Sequence, residues 1–146
     1  MPCLMVSQSR IPPQAANAQE VIIKLKRAEE LTSPSAQELM EMDDREREQR
    51  DREAGAEFLM AGQMIEGIQQ LSRDAIQRIL DHKMLEEVSR ECEAMGVSFN
   101  VMVQWQLRQI PLPQYLVKNY NIAGMRCVNV QARFIREALE RELGQL

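Results

Sequence analysis

Hydrophobic residues recur three or four positions apart along most of the chain, which is the spacing of one face of an α-helix. The first such pattern follows Asn17, and Asn17 and Glu20 have the spacing of a capping box. Ser35 and Glu38 repeat that spacing after a break in the pattern. Helices are therefore predicted over five segments: 18–31, 35–61, 63–95, 99–110 and 130–143. The protein is predicted to be all-α.

The pattern leaves the secondary structure open in three places. The helix over 63–95 is either continuous or broken at 81–83. Within 99–110 the apolar residues fit one helical face, but every second residue from Val101 to Leu107 is also apolar, as in a strand. We favour a helix there, because the chain offers no partner strand of similar strength. Residues 125–130 are the other strand-like run.

The two ends of this pattern suggest the domain organisation. Residues 1–16 have no helical spacing and contain three of the six prolines, which predicts a flexible N-terminal arm. Residues 17–146 are predicted to form a single helical domain, since a chain of 146 residues is long enough to bury one modest core.

A strongly charged segment lies inside the second predicted helix. Of the 13 residues from Glu41 to Glu53, 11 are charged, seven acidic and four basic. Acidic residues repeatedly precede basic ones by four positions, an arrangement that stabilises an isolated helix by about 0.2–0.5 kcal/mol per pair. A solvated helix is the favoured interpretation, and a charged docking surface is the alternative.

Composition and charge exclude several classes of protein. The chain is 45% hydrophobic, 27% charged and 4% aromatic, which excludes collagen-like, mucin-like and wholly disordered proteins. Its apolar runs fall far short of the roughly 20 residues of a spanning helix, so no membrane insertion is expected. The net charge of −4 disfavours a general nucleic-acid binder. Residues 1–19 contain one basic residue and no signal-like apolar stretch, which predicts a cytoplasmic protein.

The residues that usually carry catalysis are sparse. The one histidine, His82, has no serine or cysteine nearby at a spacing typical of a nucleophile pair. The three cysteines, Cys3, Cys92 and Cys127, lie far apart in the sequence and match neither a disulfide framework nor zinc-ligand spacing. We therefore expect no enzyme activity, no cofactor and no metal.

Residues 48–80 carry a recognisable arrangement of small and apolar residues. Its members are Gly55, Phe58, Gly62, Gly67 and Leu71. With this spacing the segment resembles one helical hairpin of the tetratricopeptide repeat, from which it departs at Asp51, Asp74 and Ile79. The resemblance implies an antiparallel helix hairpin as the centre of the domain, with the turn at Gly62 and small residues at 55 and 67 allowing the helices to approach.

A second resemblance involves the proline-containing segment 110–115 that follows the apolar helix. A single hairpin followed by such a helix and turn is similar to the cytosolic part of the mitochondrial outer-membrane presequence receptor. That family has an N-terminal membrane helix, which is not predicted here, and a shorter spacing between hairpin and prolines.

Two functions are compatible with these features. The favoured one is a non-catalytic helical adaptor that binds a partner helix or peptide in an apolar groove between 55–80 and 99–110. The ten methionines support it, because thioether side chains adapt to varied helices. The candidate partner-binding residues are Phe58, Met64, Met102, Trp105, Leu107 and Tyr115. A homo-oligomer or a hetero-complex is expected, since the charged middle of the second helix leaves its apolar ends to be covered.

The alternative is a nucleic-acid-associated regulator that uses the C-terminal segment. Its phosphate-binding residues would be the arginines of that segment: Arg126, Arg133, Arg136 and Arg141. Glutamates at 137, 140 and 142 interleave with the last of these arginines and weaken the patch.

Overall fold

A computed structural model describes residues 15–81 and 84–146 of the chain. Within them it contains seven helices and no strand: α1 (Ala18–Leu31), α2 (Ala36–Glu41), α3 (Asp44–Ile65), α4 (Arg73–Leu80), α5 (Leu85–Ala94), α6 (Phe99–Gln106) and α7 (Gln114–Gly144). The all-α prediction is confirmed. Most of the predicted arm, as well as Cys3, His82 and Lys83, lies outside the described residues.

Polar caps explain where the first helices begin. The Asn17 side chain accepts a hydrogen bond from the backbone N–H of Gln19, and α1 has the predicted bounds. Ser35 forms the predicted capping box at the start of α2. The predicted helix 35–61 is nevertheless broken at Met42, because the Asp43 carboxylate accepts from the backbone N–H groups of Arg45 and Glu46 and caps a new helix.

The prediction that the chain turns at Gly62 is wrong. Helix α3 continues through Gly62 to Ile65, because Ala61 and Ile65 extend its fully buried face. A glycine inside a helix costs only about 1 kcal/mol, which this burial outweighs. The chain turns at 66–72 instead, and there the Gly67 carbonyl accepts a 2.7 Å hydrogen bond from the Ala16 N–H.

The antiparallel pair at the centre of the domain is made by α1 and α3. Three contacts show the antiparallel arrangement, because residue numbers rise along α1 as they fall along α3. They are Lys24 to Glu57 at 3.8 Å, Arg27 to Glu53 at 3.4 Å, and the Arg50 guanidinium to the Leu31 carbonyl at 3.3 Å. These helices share the main hydrophobic cluster with α4 and the C-terminal half of α7. Its largest fully buried side chains include Leu25, Phe58, Ile65, Ile79 and Leu139.

Helix α7 is much longer than the predicted segment 130–143. It spans 31 residues, and the strand-like run 125–130 lies inside it. Helices α1, α3 and α5 pack around it, and their burial of its middle stabilises a helix despite the β-branched residues there.

A second hydrophobic cluster joins α5, α6 and the N-terminal half of α7. Its buried members include Val88, Cys92, Met102, Tyr120 and Cys127. The segment 99–110 is a helix, as favoured, but it ends at Gln106. Helix α6 ends close to α7, since a Cβ atom on Gly124 would lie 3.0 Å from the Gln106 side-chain nitrogen. None of the described helices is both long and apolar enough to cross a lipid bilayer.

Candidate interaction surface

The connection from α6 to α7 begins with an unusual helix C-terminus. The N–H of Arg108 donates to the Trp105 carbonyl at 2.9 Å, and the N–H of Gln109 donates to the Gln104 carbonyl at 2.8 Å. This pairing is the Schellman motif, in which the residue after the cap takes a left-handed conformation and is usually glycine. That residue is Arg108, with φ of 60°. An arginine therefore occupies a strained position.

Apolar side chains around this connection are exposed. Leu107 is 54% exposed and Tyr115, at the start of α7, is 80% exposed. Partly buried residues lie on both sides of them in the chain: Trp105, Ile110, Leu112 and Leu116. We call these six residues the 105–116 surface.

The 105–116 surface lies on the second hydrophobic cluster. Trp105, Leu112 and Leu116 pack against the buried members of that cluster. The Trp105 ring meets the Tyr120 ring edge-on, with 6.2 Å between centroids and 73° between planes. The Tyr120 hydroxyl accepts a 3.5 Å hydrogen bond from the Ser98 N–H. The edge-on contact with the buried Tyr120 ring is a favourable arrangement for two aromatic side chains and ties Trp105 to the second cluster.

The charge of this region differs from that of the rest of the chain. Residues 94–136 contain five lysines and arginines but no aspartate or glutamate, whereas all 22 acidic residues lie outside this segment. Two basic residues lie within or next to residues 105–116 in the chain: Arg108, which is exposed, and Lys118, whose ammonium is paired with the Asp44 carboxylate of α3 at 4.0 Å. Arg108 therefore contributes an exposed positive charge to the 105–116 surface.

The structure separates the six predicted partner-binding residues. Phe58 and Met102 are 0% exposed, so neither contacts a partner in this conformation. Met64 packs against the main cluster that contains Phe58, whereas Trp105 packs against the second cluster that contains Met102. The predicted groove between 55–80 and 99–110 is thus not formed, because each side belongs to a different core. Trp105, Leu107 and Tyr115 all belong to the connection between α6 and α7, where Trp105 is partly buried and the other two are exposed.

Two of the four predicted phosphate-binding arginines are used inside the fold. Arg126 donates to the carbonyls of Thr32 and Pro34 at 2.9 and 3.0 Å. Arg136 donates to both carboxylate oxygens of Glu29 at 2.6 and 2.9 Å. Arg133 lies over its neighbour Phe134, with its guanidinium carbon 5.3 Å from the ring centroid. These contacts favour a structural role for Arg126 and Arg136 over contact with phosphates.

One carboxylate of α3 is poorly accommodated. Among the described residues, the buried Oδ1 atom of Asp51 has no hydrogen-bond partner. Burial raises the pKa of Asp51, and the nearby guanidinium groups of Arg52 and Arg47 only partly oppose this effect.

Other kinds of site are poorly represented in the described part of the chain. Within 15–81 and 84–146, no three histidine, cysteine, aspartate or glutamate side chains lie together as metal ligands would. A pocket of about 250 Å³ is lined by Ala15, Ala16, Asn17, Gln69 and Gln70, none of which titrates near neutral pH. The 105–116 surface is the better developed candidate.

Comparison of the chain with protein-family models, with curated proteins and with solved structures found no match. The resemblances to a tetratricopeptide hairpin and to the presequence receptor stay predictions from the sequence. The feature of this chain that bears on its function is therefore the chemistry of the 105–116 surface.

Proposed function

We propose that this protein is a non-catalytic interaction protein that binds an amphipathic helix of a protein partner on the 105–116 surface. The observation that carries the proposal is the exposure of Leu107 and Tyr115, at 54% and 80%, within a segment that has no acidic residue. Aromatic residues beside aliphatic ones are typical of the anchors that dominate binding energy in protein interfaces. In the same proposal the protein acts in the cytoplasm, as predicted from residues 1–19.

Burial of these side chains supplies a driving force of useful size. Moving a large apolar side chain from water into an interface contributes about 1.5–3 kcal/mol. Two such anchors, together with the exposed part of Trp105, offset part of the cost of association. An amphipathic helix is a suitable ligand because its apolar stripe presents side chains at one-turn intervals to a flat or shallow surface.

The charges favour a partner helix with acidic residues beside its apolar stripe. Arg108 is exposed, and no carboxylate in residues 94–136 competes for it. Opposite charges at the edge of an interface mainly raise the association rate and select the partner. The strained backbone of Arg108 supports the same interpretation, since strain in a protein often accompanies a functional residue.

A pair of synthetic peptides tests the proposal. Both have the same leucine stripe, and one has glutamate and the other lysine on the flanking positions. The chain has one tryptophan, so Trp105 fluorescence reports binding at this surface. We expect the acidic peptide to bind at least about 10-fold more tightly than the basic one, in keeping with the charge at the edge of the surface.

Matched variants locate the binding site. The double variant Leu107→Ala/Tyr115→Ala should lose about 10- to 100-fold in affinity for the acidic peptide. Leu85→Ala is the control, because Leu85 is 58% exposed on α5 in the acidic part of the chain. Equal affinity for both peptides, or an unchanged affinity in the double variant, contradicts the proposal. So does a shift in fluorescence with anionic phospholipid vesicles and none with the peptides.

Self-association is the other use of such a surface. Sedimentation equilibrium of the wild-type protein and the double variant distinguishes it: a wild-type dimer that the double variant abolishes would assign the surface to a second copy of this chain. We expect a monomer in both cases.

A further inference from the structure

Two cysteines that are 35 positions apart in the sequence meet inside the second hydrophobic cluster. Cys92 on α5 and Cys127 on α7 have their Sγ atoms 3.7 Å apart. Their side chains are 1% and 0% exposed. The Cys127 sulfur also lies 3.8 Å from the Val88 carbonyl, one turn before Cys92 on the same helix. The two sulfur atoms are in contact and are not bonded to each other.

The positions of the two sulfur atoms are suited to a disulfide. The bond length is about 2.05 Å, so the sulfurs must approach by roughly 1.6 Å. Rotation of the two side chains, or a small movement of α5 toward α7, covers this distance. Helix α5 has ten residues, begins at Leu85 and receives no side-chain hydrogen bond from its N-cap residue Met84, so it is among the easier helices to displace.

We propose that Cys92 and Cys127 form a redox pair that hydrogen peroxide oxidises to an intramolecular disulfide between α5 and α7. In the first step the Cys92 thiolate attacks one peroxide oxygen. The O–O bond breaks, a sulfenic acid forms on Cys92, and the departing hydroxide takes up the thiol proton as water. In the second step the Cys127 sulfur attacks the Cys92 sulfur, and the S–O bond breaks. The second water leaves with the Cys127 proton, so two thiols are oxidised and one peroxide is reduced to two waters.

In this proposal Cys92 is the attacking thiol. A hydrogen bond shared with the Cys127 thiol lowers the pKa of Cys92, against the opposing effects of burial and of Glu91. The thiolate is the reactive form of cysteine. Both sulfurs are buried, so the reaction requires a transient opening of α5 and is slow compared with that of an exposed thiol.

The disulfide would close a loop from 92 to 127 that contains α6 and the whole 105–116 surface. A crosslink over a loop of this length stabilises a protein chiefly by restricting its unfolded chain. The inference does not depend on the proposed binding function, because it concerns the thiols alone.

Oxidation of the full-length Cys3→Ser protein by a small molar excess of hydrogen peroxide tests the pair. We expect both thiols to disappear together, a mass decrease of about 2 Da, and a Cys92–Cys127 linked peptide in a non-reducing digest. The thermal midpoint should rise by roughly 5–10 °C and return to its first value on reduction with dithiothreitol.

Single variants provide the control. In Cys92→Ala and in Cys127→Ala the remaining thiol has no partner for a disulfide, so peroxide should give neither the mass decrease nor the rise in midpoint. If one of these variants folds poorly, the linked peptide from the oxidised Cys3→Ser protein still tests the proposal. The proposal is overturned if both thiols survive peroxide, if the product is a sulfinic acid with a gain of about 32 Da, or if chains become linked to each other.

Discussion

The two halves of α7 lie in different surroundings. From Arg126 onward, polar side chains of α7 bond to other parts of the fold: Arg126 to the carbonyls after α1, Arg136 to Glu29 of α1, and Glu142 to Arg78 of α4 at 2.7 Å. Before Arg126, α7 packs against α5 and α6 in the second cluster and against Leu39 of α2, and Tyr115 in its first turn is exposed. The later part of α7 is joined to the fold by polar contacts, whereas the first turn of the helix presents Tyr115 to solvent.

Some of these polar contacts provide hydrogen-bond partners for the C-terminal end of α1. Helix α1 leaves carbonyl groups without intrahelical partners at its C-terminus, as every helix does. The Asn129 amide donates to the Glu29 carbonyl at 3.1 Å and to the Thr32 hydroxyl at 3.3 Å, and Arg126 donates to the Thr32 carbonyl. Arg126 and Arg136 are thus part of the fold. The side chains left over for binding are those near the start of α7.

The largest expected effect is a difference in stability between two residues that were both predicted to bind a partner, one in the core and one on the surface. Phe58→Ala should lower the free energy of unfolding by about 3–5 kcal/mol, because it leaves a cavity in the main cluster. Tyr115→Ala should change it by less than about 0.5 kcal/mol, since Tyr115 is 80% exposed. Urea unfolding of both variants checks this. Equal destabilisation would remove the distinction between the two regions.

The next effect concerns the ion pair that joins α7 to α1. Arg136→Ala should cost about 1.5 kcal/mol, between the value for an exposed pair and that for a fully buried pair that loses one partner. The pair is partly buried, with 19% and 17% of the two side chains exposed. Arg141→Ala on the exposed face of α7 is the matched control and should be nearly neutral. Both are measured by urea unfolding, and equal values would contradict a structural role for Arg136.

The sequence predicts α1 well and α7 poorly, and the reason is physical. Helix α1 has one apolar stripe and a capping Asn17, so both its period and its start are visible. In α7 the four consecutive residues 122–125 are all buried, so no alternation of apolar and polar faces remains to be read. A helix that is covered on several sides loses the pattern by which amphipathic helices are recognised.

The same limit applies to the candidate site. Periodicity shows that Phe58 and Leu107 are apolar, but not which of them another helix covers. The contact of Cys92 with Cys127 could not be inferred, because they are 35 positions apart and only the packing of α5 on α7 brings them together. The absence of acidic residues from 94–136 is a signal in the sequence that indicates the 105–116 surface.

The next prediction concerns Asp51, a carboxylate of α3 that is buried without a described hydrogen-bond partner. Asp51→Ala should raise the free energy of unfolding by about 1 kcal/mol at pH 7, because it removes a buried oxygen without a described partner and improves helix propensity. Glu48→Ala, at an exposed position of the same helix, is the control and should gain only the propensity.

The pH dependence of this gain follows from the raised pKa of Asp51. A carboxyl group whose pKa is higher in the folded state favours folding when it is protonated, and this contribution is lost as pH rises through the folded-state pKa. Asp51→Ala should therefore stabilise the protein more than Glu48→Ala does, and this difference in the free energy of unfolding should be largest at neutral pH. The difference should disappear below the ordinary aspartate pKa of 3.8. An excess that is independent of pH would mean that the Asp51 carboxylate is solvated or paired.

The smallest expected effect lies on the exposed side, at Arg108. Arg108→Gly should raise the free energy of unfolding by about 0.5–1 kcal/mol, because glycine relieves the left-handed strain but loses more chain entropy on folding. Arg108→Ala keeps the strain and removes the cation, so it should be nearly neutral. If Arg108 serves a partner, both variants should also bind the acidic peptide more weakly than the wild type. Greater stability with weaker binding in Arg108→Gly means that this position gives up stability for recognition, whereas unchanged binding in both variants would leave its strain without a function.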